Sequence, residues 1–243
     1  MSASLLANPS LTLAPAPWQL SGQGYAFLMK MPEDVLANCP FTPTGLRKSR
    51  RSPLSLAMLV DYQSSAVGPY QELLFIPGTF DFGNGERQPS ISRIYVSSQA
   101  SVLNGRRNWG IPKDRCDFAV SLNDEGIDRA VLTADDGRRI AEMTLSSSGP
   151  ALPLPAHWLP AAWRTLAQVW EGKVFTLAPS AQGKCRAAKV LDWHFDPRIV
   201  SRSRARSLPS GGKDPAIHHD VSGARCADLA WLTGAFSPDM TTM

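Results

Sequence analysis

The chain has few aromatic residues (8%), four cysteines in 243 residues and a net charge of only +4. Each shortage excludes something. The cysteines, Cys39, Cys116, Cys185 and Cys226, are widely spaced and form no Cys-x-x-Cys pair, which removes zinc-ribbon and thioredoxin-type motifs. Met1 to Asn8 lacks the basic and apolar regions of a secretory leader, so reduced thiols in the cytoplasm are expected. No window approaches the roughly 18–20 apolar residues of a membrane span. The sequence pI is about 9.0, but the excess charge is local, in Arg47-Lys48-Ser49-Arg50-Arg51 and at Arg202, Arg204 and Arg206. Both runs contain serine and lie near proline. They read as solvated loops, with polynucleotide or anion binding the minor alternative. Gly22-Gln23-Gly24 lacks the third glycine of a dinucleotide loop, and neither a Walker sequence nor a Gly-x-Ser-x-Gly elbow is present, so no cofactor is expected.

What remains is a chain that is 43% apolar, long enough for one full core, and punctuated by 20 prolines and 18 glycines. That balance favours short elements joined by turns, more strand than helix. Residues 1–18, with Pro9, Pro15 and Pro17, suit an extended arm, and 19–243 a single domain. Pro32-Glu33-Asp34 opens a short helix that ends near Cys39. Strands are expected over Leu54 to Asp61, Tyr70 to Ile76, Ser92 to Ser98, Asp117 to Leu122, Arg129 to Ala134 and Arg139 to Leu145. Val174 to Ala178 and Lys184 to Phe195 follow as further strands. Asp136-Gly137 marks a hairpin, and Asn123-Asp124-Glu125-Gly126 a second turn. Leu159, Trp163, Leu166 and Trp170 recur at helical spacing, predicting a helix over His157 to Trp170 whose stripe packs into the core. A short helix is expected over Cys226 to Leu232.

Two His-carboxylate groups stand out: Asp192, His194 and Asp196, which strand alternation puts on one face, and His218-His219-Asp220 in a glycine-rich stretch. Neither spacing fixes a metal geometry, and no metal site is expected.

The run Gly105-Arg106-Arg107-Asn108-Trp109-Gly110-Ile111-Pro112-Lys113 carries the chemistry. A lysine attacks a carbonyl only as the neutral amine, and its reference pKa of about 10.4 leaves it protonated at neutral pH. Lowering that value to near 7 takes roughly 4 kcal/mol of preference for the uncharged form. Apolar Trp109, Ile111 and Pro112, and the nearby Arg106, Arg107 and Arg115, are the local candidates to supply it. A protonated imine on such a lysine is an electron sink that serves decarboxylation, aldol addition and dehydration alike.

This run resembles the active-site signature of the acetoacetate decarboxylase family, in which a Gly-Arg pair leads to a Pro-Lys whose lysine forms a Schiff base. Ser92 to Ser101 resembles the family's Tyr-containing strand, and Gly68-Pro69-Tyr70-Gln71-Glu72-Leu73-Leu74-Phe75-Ile76-Pro77 its Tyr-x-Glu strand. The resemblance implies an α+β domain, mainly antiparallel, with a barrel-like or cone-like sheet, a few flanking helices and a homo-oligomeric assembly. It implies Lys113 and Glu72 as the catalytic pair and Tyr70, Arg106, Trp109, Ile111 and Gln23 as substrate-binding residues. Independently, strand alternation puts Tyr70, Glu72, Leu74 and Ile76 on one face, leaving Glu72 a lone acid among apolar neighbours with a raised pKa.

The departures bear on the substrate. Asp114 stands where the family's decarboxylases have a second lysine, Ile111 where they have an aromatic, and Arg107 where they have a glutamate. The arginine of an early strand that holds the substrate carboxylate has no counterpart between Gln19 and Lys30, where Gln23 falls nearest. Pro53 to Gln71 offers only Asp61 for a second glutamate. The expected function is therefore a Schiff-base lyase for a keto acid or related carbonyl compound other than acetoacetate. The alternative is a non-catalytic ligand-binding or structural relative.

Overall fold

The computed structural model describes residues 13–31, 33–37, 42–43, 45–51, 54–83, 85, 87–122, 127–155, 164–196 and 221–233, the last by its backbone. The strands are β1 (Gln19–Lys30), β2 (Leu54–Ser64), β3 (Tyr70–Ile76), β4 (Thr79–Asp81), β5 (Arg87–Pro89), β6 (Arg93–Val96), β7 (Lys113–Arg115), β8 (Asp117–Ser121), β9 (Ile127–Thr133), β10 (Arg139–Pro155), β11 (Leu166–Trp170), β12 (Lys173–Leu177), β13 (Pro179–Phe195) and β14 (Val221–Thr233). The helices are α1 (Glu33–Ala37) and α2 (Gln99–Trp109).

Ten strands form one sheet in the order β7-β6-β3-β2-β1-β14-β13-β10-β9-β8, antiparallel throughout except for the parallel β6–β7 pair. This is the expected α+β, mainly antiparallel architecture. Among the described residues no ladder closes it into a barrel. Its two ends, β7 and β8, are nevertheless separated in sequence only by Cys116, whose N–H bonds to Val96 O. One residue cannot span a flat ten-stranded sheet at roughly 4.8 Å per strand, so the sheet must curl until its edges meet there.

Alternation along the central strands feeds two cores. Leu20, Val60, Tyr62, Tyr70, Leu74 and Ile76 bury on one face with Trp18, Trp109 and Ile111. Tyr25, Phe27, Ala57, Leu59, Leu73 and Tyr95 bury on the other with Leu132, Met143, Leu145 and Trp193. β3 is thus covered on both sides, which is why its sequence is nearly continuously apolar apart from Gln71 and Glu72. The described end of the N-terminal arm joins the first core: Trp18 is buried, Ala14 N–H bonds Asn104 Oδ1 at 2.8 Å, and Asn108 Nδ2 bonds Ala14 O at 2.8 Å.

The Asp136-Gly137 hairpin forms as expected, with Gly137 at φ 81° and Arg139 paired to Thr133. Other expectations are corrected. Within the described half of His157 to Trp170, Arg164 is helical but Leu166–Trp170 is strand β11, because Glu171 (φ 51°) and Gly172 (φ 75°) turn it into a hairpin with β12. Leu159 and Trp163 lie outside the described residues. Cys226 to Leu232 belongs to β14, which fills the gap between β1 and β13 and so finds partners remote in sequence. The stretch before Lys113, for which no element was expected, forms helix α2: Ser98 caps its N-terminus by accepting from Ser101 N–H, and Gly110 ends it in the left-handed region. Cys116 is free and buried, whereas Cys185, opposite Cys226 in the β13–β14 ladder, is disulfide-bonded, contrary to the expectation of reduced thiols.

Asp192 and His194 are exposed, but Asp196 follows the end of β13, is buried and pairs with Arg138, so the three share no site. His218, His219 and Asp220, and Arg202, Arg204 and Arg206, lie outside the described residues. No helix among the described residues is long and apolar enough to cross a membrane.

The second core also holds one fully buried carboxylate, Asp128, to which the Tyr25 hydroxyl donates. Tyr25→Phe should therefore cost about 1–3 kcal/mol, the penalty of removing a hydrogen bond from a buried acceptor. Urea unfolding of the two proteins would measure it, and an unchanged midpoint would contradict this account.

Candidate active site

Lys113 opens β7 at the sheet edge and turns its side chain inward. It is 3% exposed, and Nζ donates to Glu72 Oε2 at 2.8 Å and to Ser101 Oγ at 3.0 Å. It also lies 5.1 Å from the centroid of the Tyr70 ring. Glu72 comes from the middle of β3 and Ser101 from the first turn of α2, so three elements converge on one nitrogen.

The last turns of α2 and its link to β7 make that convergence possible. A Cβ at Gly105 would sit 2.7 Å from Lys113 Cδ and 2.8 Å from Cε, so the missing side chain is the channel through which the lysine stem passes. Gly110 has φ 61°, and a Cβ there would meet Phe175 at 2.7 Å and Trp170 at 2.9 Å; glycine lets the β11–β12 hairpin close on the helix end. Arg106 fastens the loop from outside: Nε donates to Lys113 O at 2.9 Å and a terminal nitrogen to Asp114 Oδ1 at 2.8 Å, while the guanidinium sits over Trp170. Asp114 is thereby held between Arg106 and Arg93, on the side of the strand away from the Lys113 amine. Its carboxylate does not share the lysine's environment.

The pair opens onto a cavity of about 450 Å³. Tyr70, Glu72, Leu74 and Ile76 all line it, as strand alternation predicts, together with Trp109, Ile111 and Lys113. Trp109 packs edge-on against Trp18, and its buried Nε1 has no hydrogen-bond partner among the described residues. Arg106 and Gln23 are not among the lining residues, and Asp61 instead accepts from Gln71 Nε2 at 2.8 Å. Sequence reasoning missed three contributors. Ser101 was hidden because α2 was not recognised, although Ser98 and Gly110 are its cap signals. Tyr62, which pairs with Tyr70 across β2 and β3, carries no motif. Arg164 lines the cavity from just before β11 and stands alone in an apolar stretch.

Electrostatics correct the expectation of a depressed lysine pKa. Burial is the largest influence on Lys113 and pushes its pKa down, but the Glu72 charge, with Tyr70, outweighs it and the net value is raised. The arginines expected to help are turned away, Arg106 toward Asp114 and Arg115 toward Asp117 and Asp135. Burial likewise pushes the Tyr70 hydroxyl up to about 12, partly offset by Lys113 and further raised by Glu72. Tyr62 is raised for the same first reason. A raised lysine value means that the ion pair's contribution to stability is complete below the unfolded lysine's pKa of about 10.4 and is lost as pH rises through the folded value.

Two substitutions test this arrangement. Glu72→Gln removes the charge that opposes burial, so the Lys113 pKa should fall below that of an ordinary lysine. Competitive amine labelling followed across pH would detect a lowered midpoint, and a midpoint unchanged or raised would refute the balance described here. Gly105→Ala gains about 1 kcal/mol of helix propensity yet displaces the lysine stem. Thermal stability should change little, while any reaction at Nζ should slow by about 100-fold, the order expected for a misplacement near 1 Å.

A family model described as acetoacetate decarboxylase matches residues 33–196, which include Glu72, the whole of α2 and Lys113. No curated protein is significantly similar in sequence. Among solved structures, acetoacetate decarboxylase from Legionella pneumophila superposes with a TM-score of 0.68 at 12% identity, covering 96% of this chain and 92% of that one. An acetoacetate decarboxylase-like enzyme from Sphingomonas wittichii RW1 covers 100% of both chains with a TM-score of 0.62 at 14% identity. The enduracididine biosynthesis enzyme MppR complexed with pyruvate gives a TM-score of 0.60 at 16% identity, over 98% of this chain and 96% of that one. With more than half its length matched by the family model, and with the same fold as these enzymes, the chain belongs to the acetoacetate decarboxylase family.

Proposed function

We propose that the protein is a lyase that forms a Schiff base between Lys113 and a keto acid or related carbonyl compound other than acetoacetate. The observation that carries the reading is the Lys113 amine, 2.8 Å from a buried carboxylate and facing an apolar cavity large enough for a small molecule. MppR, which shares the fold, has been solved in complex with pyruvate and in complex with the condensation product of pyruvate and imidazole 4-carboxaldehyde.

In the resting site Lys113 is an ammonium paired with Glu72. Passing one proton along the 2.8 Å hydrogen bond gives the neutral amine and the carboxylic acid. Nζ then bonds to the carbonyl carbon, the proton returns from Glu72 to the departing oxygen, and loss of water leaves an iminium. The electron pair of a bond to a carboxylate, or of an adjacent C–H bond, collapses into that iminium to give an enamine. Carbon dioxide leaves in the first case and Glu72 takes the proton in the second. Protonation at carbon and hydrolysis restore Lys113. Ser101, 3.0 Å from Nζ, keeps the nitrogen aimed at the cavity through these changes.

Arg164 is the cavity's cation besides Lys113 among the described lining residues, and it takes the role of meeting a substrate carboxylate in place of the family's early-strand arginine. Gln23 plays no part in this scheme. The raised Lys113 pKa favours one rival reading, a structural ion pair in a protein that binds without reacting.

Borohydride reduction in the presence of pyruvate, acetoacetate and larger ketones, followed by mass mapping, separates the two. The expected outcome is an adduct on Lys113 that disappears in Lys113→Met. Absence of an adduct with every carbonyl, in a protein shown to be folded, would sink the lyase. In Arg164→Met, half-saturating concentrations for oxo acids should rise by about tenfold or more, with those for neutral ketones unchanged.

A further inference from the structure

The cavity is chemically lopsided. Glu72, Lys113 and Arg164 are the charged residues among its described lining, and Glu72 pairs with Lys113. From Glu72 the floor runs away along β2 and β3 through Val60, Leu74, Met58, Ile76 and Leu56, in the register Val60↔Glu72, Met58↔Leu74 and Leu56↔Ile76. The four residue steps along β3 from Glu72 to Ile76 advance about 13 Å at roughly 3.3 Å each. Among the described lining residues no charged side chain faces the cavity beyond Glu72 along that stretch.

The third strand of the floor adds little bulk. On β1, Gly24 lies opposite Val60 and Ala26 opposite Met58; a Cβ at Gly24 would strike the β2 backbone, 2.2 Å from Leu59 O, so that glycine answers to the close strand contact and Ala26 is the small side chain beside the channel. Beyond them Leu28 and Leu54 line the same cavity while remaining 47% and 48% exposed, an apolar rim where a closed core would have covered them. A molecule as small as pyruvate, bound at Lys113, would touch only the beginning of this floor.

We propose that the compound bound here carries an extended apolar tail, an alkyl or aryl chain that lies along the β1–β3 floor from Glu72 toward Leu28 and Leu54, with its carbonyl at Lys113. The substrate class is thus a chain-bearing oxo acid or ketone. The position of the carbonyl rests on the imine reading above; the seat for the tail does not.

The test uses two parallel series on the full chain. Methyl ketones from acetone to methyl nonyl ketone are trapped on Lys113 with borohydride, and straight-chain alcohols from butanol to decanol, which cannot form an imine, are titrated by calorimetry. Each added methylene should lower the half-saturating ketone concentration and the alcohol Kd by about fourfold, the factor equivalent to ~0.8 kcal/mol per buried methylene. Leu56→Trp fills the channel level with Ile76 and should flatten both trends for the longer chains while leaving acetone trapping intact. Should that variant fail to fold, Ala26→Leu narrows the same channel from β1. Trapping without any dependence on chain length, or a dependence unchanged in a folded channel variant, overturns the tail site and leaves the imine standing. Alcohols that bind more tightly with length in a protein that traps no ketone support the tail site and overturn the imine.

Discussion

Much of this structure depends on burying one ammonium group. A lysine with 3% exposure, isolated in a protein interior, would lose its proton or unfold its surroundings, and neither happens because Glu72 is buried with it at hydrogen-bond distance. Two charges removed from water need good geometry and further polar partners, and Ser101 and the Tyr70 ring supply them. The pair comes from strands β3 and β7, which are not themselves neighbours: β6 lies between them, so both side chains must reach over its surface. That requirement explains why α2 packs where it does, with Ser101 at one end and the gap of Gly105 one turn later.

The conspicuous residues of the Gly105–Lys113 run then sort by location rather than by chemistry. Gly105 clears the stem, Arg106 pins the loop to Asp114, Asn108 ties the helix to Ala14, Trp109 and Ile111 wall the cavity, and Gly110 admits the hairpin. Only Lys113 meets the reacting atom on the proposed mechanism. Asp114 illustrates the same point. Placed beside the lysine in sequence, it looks like an acid that would hold a proton on Nζ, yet extended backbone turns it outward to Arg93 and Arg106. In space, the carboxylate that governs Lys113 is the one 41 residues away.

This division also marks what was legible in the sequence. The cavity face of β3 was readable because alternation is local, and the Asp136-Gly137 hairpin because its turn chemistry is local. The helix expected through Trp170 failed for an instructive reason: Leu166 and Trp170, four apart, share a face in a strand as well as in a helix, and only the turn at Glu171-Gly172 decides between them. β14 could not be read because its partners β1 and β13 are set by the sheet as a whole. The lysine pKa was misjudged because the sequence shows which charges are near along the chain, whereas the balance is struck between burial and charges near in space.

A raised lysine pKa and imine chemistry are compatible if the substrate itself changes the balance. In the open cavity, water can reach the ion pair's surroundings and the charged form of Lys113 is favoured. An apolar chain filling the floor displaces that water and lowers the local polarity, which penalises the ion pair more than the neutral amine and acid that one proton transfer produces. The energy for activating the nucleophile would then come from burying a part of the substrate that never reacts. On this reading a short carbonyl compound suffers twice, by binding weakly and by leaving the lysine protonated, so the apolar floor selects for reactivity as well as for affinity.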